Sequence, residues 1–140
     1  MHQGKRCILW LAVSSASQAD ETKESLPEQE RVLREIAQRN GWRIVDVIIT
    51  PGHSRDYYTY AEFCEGVRQD RKLNTDAPSR MWDHWANRDF DVFACMDGSR
   101  FGRKASIVSE FVGRTYDANA QIWSNRDGWI DPNNKRWYAA

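Results

Sequence analysis

The chain lacks an excess of charge of either sign: its 140 residues carry 20 Lys and Arg against 20 Asp and Glu. A surface that does most of the work of holding nucleic acid is basic, so any DNA contact here is local or is helped from elsewhere. No apolar run approaches the roughly 18 residues of a membrane span. The opening "MHQGKRCILWLAV" has too short an apolar segment for a leader and no small-residue cleavage site, so the expectation is a cytoplasmic protein with no membrane partner. The three cysteines, Cys7, Cys64 and Cys95, are odd in number and form no CxxC pair, which fits reduced thiols better than disulfides or zinc. His2, His53 and His84 have no metal-ligand spacing. Neither GxGxxG nor GxxxxGK[ST] occurs, which weakens a standard nucleotide-binding reading.

What is present alternates between strand and helix signals. "CILWLAV" (7–13) is a continuous apolar run, as in a buried parallel strand. "SLPEQERVLREIAQRNG" opens with Ser25 three residues before Glu28, a capping-box spacing, tolerates Pro27 in its first turn, and ends at Gly41. "WRIVDVIIT" (42–50) is rich in β-branched residues and reads as a second strand. Helices are expected over about 60–71 and in "SRMWDHWANR", with Ser79 as a cap and Trp82 and Trp85 on its apolar stripe. "DFDVFACMD" (89–97) reads as a third strand, "SIVSEFVGRTYDAN" as a helix and "AQIWSN" as a short final strand. The fold class is therefore α/β: one domain with a mostly parallel central sheet of about four to five strands and helices on both faces.

In such a sheet the carboxyl ends of the first three strands, near Val13, Thr50 and Met96, share one edge, where open α/β sheets place their sites. The segments "SSASQ", "PGHSRD" and "DGSRFGRK" follow them. Serines at strand ends serve either as helix caps or as nucleophiles. Arg100 and Arg103, with Arg55 and Lys104, offer permanently charged groups, and guanidinium forks suited to phosphate. A serine facing arginines without a Ser/His/Asp pattern points to phosphoryl rather than acyl transfer. The alternative for "SRFGRK" is a solvated loop.

"LAVSSASQ", "SLPEQ" and "DFDVFACMDGSRFGRK", in that order over about residues 7–125, resemble the catalytic domain of the serine recombinases, the resolvase, invertase and large phage integrase family. The resemblance implies a resolvase-like domain in which Ser14 attacks a DNA phosphodiester to give a 5′-phosphoserine link and a free 3′-hydroxyl. It makes Arg100 and Arg103 the phosphate ligands and Ser15 a helper or cap. Gln18, Gln29, Ser54 and Arg55 are expected on DNA near the nucleophile. It also implies no cofactor and no metal, double-stranded DNA as partner, a homodimer or tetramer as the active complex, and a prokaryotic or phage setting. The family's dimer helix and DNA-binding domain would follow near "IDPNNKRWYAA", so this chain is expected to be the catalytic domain alone.

The sequence departs from the family pattern at definite places. Ala12 and Tyr60 stand where the family has arginines, Pro51 where it has an acidic residue, and Ser99 where an aspartate precedes the first arginine, with Asp97 two residues earlier. Each lost phosphate ligand costs on the order of 3 kcal/mol of transition-state stabilisation. Two other readings stay open: a non-catalytic recombinase-like module that binds DNA or assembles with partners, and a doubly wound domain that binds a small phosphate ligand at the same edge.

Overall fold

The computed structural model of the protein describes residues 4–12, 25–50, 57–69, 76–98, 101 and 104–133. In chain order the elements are β1 (Arg6–Ala12), α1 (Leu26–Asn40), β2 (Arg43–Thr50), α2 (Tyr60–Gln69), α3 (Ala77–Asn87), β3 (Val92–Cys95), α4 (Ala105–Asp117), β4 (Gln121–Ser124) and β5 (Gly128–Trp129). They form a five-stranded sheet in the order β2-β1-β3-β4-β5, parallel except for β5, which runs antiparallel to β4. The expected α/β class and strand number hold, and "AQIWSN" is not the last strand. β5 is two residues long, entered through a turn in which Gly128 takes a left-handed φ of 77°, too short for periodicity to reveal.

Alternation along β1 divides the core. Cys7, Leu9 and Leu11 pack with Leu33, Ile36 and Ala37 of α1, whereas Ile8 and Trp10 face the opposite side with α2, α3 and α4. That second side is strongly aromatic. Trp10 meets Phe111 edge-on at 4.9 Å between centroids, and Phe101 stacks on Phe111 at 4.4 Å. The Trp85 indole donates to Thr115 Oγ1 at 3.1 Å, which ties α3 to α4. Buried aromatic and aliphatic side chains of this size each contribute about 1.5–3 kcal/mol, so this face is where most of the core's stability lies.

The helix ends follow the local chemistry. Ser25 caps α1, its hydroxyl accepting from the Glu28 amide at 3.3 Å, and Gly41 closes the helix at φ 72°, a left-handed conformation that favours glycine. The Glu28 carboxylate binds Arg31 at 2.6 Å. Thr59 and Glu62 form a capping box on α2: the Thr59 hydroxyl accepts from the Glu62 amide, and Glu62 accepts from the amides of Tyr58 and Thr59. Ser79 is not the cap of α3. That helix begins two residues earlier behind Asp76, with Pro78 in its first turn, and the Asp76 carboxylate pairs with Arg80 at 2.6 Å.

All three cysteines are free thiols. Burial pushes Cys7 up to about 12 and Cys64 to about 11, so both are protonated and poor nucleophiles at neutral pH. Among the described residues no helix is long and apolar enough to cross a membrane.

Candidate active site

β1 lies between β2 and β3. The chain leaves β1 for α1 on one face of the sheet and leaves β3 for α4 on the other. Neighbouring parallel strands whose connections depart to opposite faces open a crevice at their carboxyl ends, the topological switch point of an open α/β sheet. Here the floor of that crevice is Ala12 at the end of β1, with Cys95 and Met96 at the end of β3. Thr50, the residue paired with Ala12, closes β2 beside it. The helices that follow β1, β2 and β3 all begin at this edge, so the positive ends of their dipoles point towards it.

Gln29 holds the end of β1 in place. It sits in the first turn of α1, 1% exposed, and its side-chain amide reads both backbone groups of Ala12: Oε1 accepts from the Ala12 N–H at 3.2 Å and Nε2 donates to the Ala12 carbonyl at 3.0 Å. The glutamine expected near the nucleophile is thus a backbone clamp two residues ahead of Ser14. An amide offers one acceptor and one donor at that spacing, which an ionised carboxylate cannot. Gln29→Glu is therefore expected to cost about 1–3 kcal/mol at neutral pH, because a carboxylate would face the Ala12 carbonyl. Burial and that carbonyl raise the folded-state value of a glutamic acid placed here. The deficit should be smallest below the ordinary Glu value of about 4.3 and grow as pH rises through the raised folded value. Urea unfolding of variant and wild type across that range measures it.

On the β3 side the described frame is Met96, Asp97, Gly98, Phe101 and Lys104. Phe101 is fully buried, its amide donating to the Gly98 carbonyl at 3.2 Å, and its ring lies on Phe111 and against Phe93 and Trp10. It stands between Arg100 and Arg103 in the chain. The sequence signal was a lone aromatic inside the polar run "SRFGRK". Lys104 precedes α4 and lays its ammonium over the Tyr58 ring at 4.9 Å, while the Ser106 hydroxyl donates to the Tyr58 carbonyl at 2.7 Å. The starts of α2 and α4 are thereby joined at the edge. Arg126, which sequence reasoning did not single out, adds a cation after β4. Its amide donates to the Met96 carbonyl at 3.0 Å, and its side chain is well exposed.

Ser14, Ser15, Gln18, Pro51, Ser54, Arg55, Ser99, Arg100 and Arg103 lie outside the described residues. The two positions where the resemblance expects arginines are described. Ala12 is buried at the end of β1. Tyr60 is fully buried, donates its hydroxyl to the Pro78 carbonyl at 2.8 Å, and packs edge-on against Trp85 and Phe111. Its backbone N–H is received by Glu110 of α4 at 2.8 Å. Position 60 is a core anchor, not a vacant ligand site.

No family model matches the chain, and no curated protein is found similar to it. Solved structures are similar. The N-terminal catalytic domain of TP901-1 integrase superposes with a TM-score of 0.63 at 19% identity, over 89% of this chain and 79% of that one. The C-terminal catalytic domain of ISC1926 TnpA, an IS607-like serine recombinase, gives 0.60 at 17% identity, over 88% and 71%. A resolvase family site-specific recombinase from Streptococcus pneumoniae gives 0.63 at 20% identity, over 96% and 81%. The fold is that of serine recombinase catalytic domains. Within that resolvase-like fold, the carboxyl edge of β1 and β3 is the candidate active site.

Proposed function

We propose that the protein is a site-specific serine recombinase catalytic domain in which the Ser14 oxygen attacks a DNA phosphorus, forming a 5′-phosphoserine bond. The Ser14 hydroxyl gives up its proton as its bond to phosphorus forms, the P–O bond to the leaving strand breaks, and the released oxygen takes up a proton to become a 3′-hydroxyl, so the step is balanced in protons. Attack by a 3′-hydroxyl on the phosphoserine reverses the step, so the phosphoester energy is kept and no nucleotide hydrolysis is needed. The observation that carries this reading is the switch point between β1 and β3. In sequence Ser14 follows the first of these strands and Arg100 and Arg103 follow the second, and two neighbouring strands that end at one switch point support a shared site for nucleophile and phosphate ligands.

In this reading the arginines neutralise the nonbridging oxygens, the task on which phosphoryl transfer chiefly depends. Lys104 and Arg126 add charge at the rim, and Gln29 fixes the strand from which Ser14 departs. Double-stranded DNA is the substrate, and two or four copies assemble on it. Ala12 and the buried Tyr60 leave the pocket with fewer cations than the family pattern, which favours slow cleavage.

The test is a covalent trap. The chain, fused to a sequence-specific DNA-binding module, is incubated with duplexes that carry a randomised, nicked core beside that module's site. The reading requires an adduct that survives denaturation. Salt-dependent binding of the unfused chain to DNA, with no adduct from the fusion, would support a non-catalytic module instead, and a rise in the unfused chain's melting temperature with a free nucleotide but not with DNA would support a small-ligand domain.

A further inference from the structure

A second group of charged side chains lies away from the carboxyl edge, where α3 crosses β2. β2 is an outer strand of the sheet, with a register shift opposite Cys7 and Ile8 that leaves Val45 outside the pairing. An outer strand with free carbonyls invites pairing with another chain, and bulges and charged side chains blunt that tendency. Here Arg80 of α3 donates to the Val47 carbonyl at 3.1 Å and to Asp46 at 3.2 Å. One turn further on, His84 places Nε2 at 2.8 Å from Asp46 and Nδ1 at 2.7 Å from Asp89, in the connection between α3 and β3.

Both ring nitrogens of His84 thus face carboxylates, and an ionised carboxylate only accepts hydrogen bonds. Only the doubly protonated ring satisfies the two contacts at once, since a neutral ring would turn a lone pair towards one of the carboxylates. We propose that His84 is a protonation-dependent clasp that fastens α3 to the outer edge of the sheet, bridging Asp46 and Asp89 while charged and releasing one of them when it loses a proton. The charged groups around the ring are Asp46 from β2, Asp89 from the following connection, and Arg80 on α3, which shares Asp46. Arg6 of β1 lies within the field of Asp89, and the Phe90 ring stands edge-on to the imidazole at 6.2 Å. These side chains are spent on one another and are not gathered around a point that a metal ion would occupy.

The electrostatics agree with the geometry. Burial pulls the His84 value down, but the bonds to Asp46 and Asp89 outweigh it and raise the ring above the ordinary imidazole value. Burial pushes Asp46 up, and its bonds to His84 and Arg80 outweigh that and hold it below the usual carboxylate range. A raised histidine contributes stability that is complete below its unfolded value of about 6.5 and is lost as pH rises through the folded value. The clasp is closed below the ordinary imidazole value of about 6.5 and opens as pH rises through the ring's raised value.

The experiment is a nitrogen-resolved NMR titration of the His84 ring in the full chain, which needs no variant to fold. Expected are protons on both ring nitrogens at the ordinary imidazole midpoint of about pH 6.5 and below, and a midpoint above the ordinary value, lowered by Asp46→Asn. In thermal melts, the advantage of wild type over His84→Gln should be largest below about pH 6.5 and shrink as pH rises. A midpoint at or below the ordinary value, or an advantage independent of pH, would overturn the clasp.

Discussion

Tyr60→Arg is expected to unfold the domain or bring it close to unfolding, rather than to supply a phosphate ligand. The resemblance to serine recombinases makes the substitution attractive, since the family has an arginine there. The structure gives the position another task. The Tyr60 ring is fully enclosed by Phe63, Trp85 and Phe111, with Trp82 stacked over it at 5.6 Å, and its hydroxyl is satisfied by the Pro78 carbonyl. A guanidinium at that point would be buried, and the nearest carboxylate, Glu110, already serves the Tyr60 amide and Arg114. An unpaired buried charge costs about 4 kcal/mol or more, against a total stability of about 5–15 kcal/mol for a domain. Urea unfolding of the variant measures the loss. A variant as stable as wild type would show that position 60 opens onto the edge after all.

Phe101→Ala carries the next largest effect, a loss of about 3–5 kcal/mol. The side chain is fully buried, so truncation leaves a cavity bounded by Phe93, Phe111 and Trp10, rings too rigid to collapse into it. At this chain length such a loss lowers the melting temperature by about 10 °C or more. If Phe101 also fixes the stretch that carries Arg100 and Arg103, adduct formation should fall further than the folded fraction does at a temperature where most of the variant is folded. A fall that only tracks the folded fraction would leave Phe101 as a core residue with no bearing on the site.

The elements that the sequence made legible are those whose signals are local. Ser25 and Gly41 bound α1 because a hydroxyl at the cap and a left-handed glycine at the close act within one turn. β1 was readable because a strand buried on both faces is apolar throughout. The start of α3 was misplaced at Ser79 because Asp76, which precedes the helix, spends its carboxylate on Arg80 instead of on a backbone amide. β5 escaped notice because two residues carry no period. At the edge, the sequence pointed to Gln29 but not to its role, since only the fold shows that its partner is the backbone of Ala12, 17 residues earlier. Phe101 and the Asp46–His84–Asp89 bridge depend on contacts between distant segments, which residue spacing does not encode. Tyr60 shows the reverse: alignment with a motif suggested a missing ligand, and packing explains the tyrosine.

The central claim is that Ser14 is the nucleophile at the crevice between β1 and β3. Its most direct test is to digest the trapped protein–DNA adduct and locate the phosphate by mass spectrometry. The account predicts one phosphoserine at Ser14, with adduct abolished by Ser14→Ala and retained in Ser15→Ala. A phosphate on another residue, or an adduct that persists in Ser14→Ala, would contradict it.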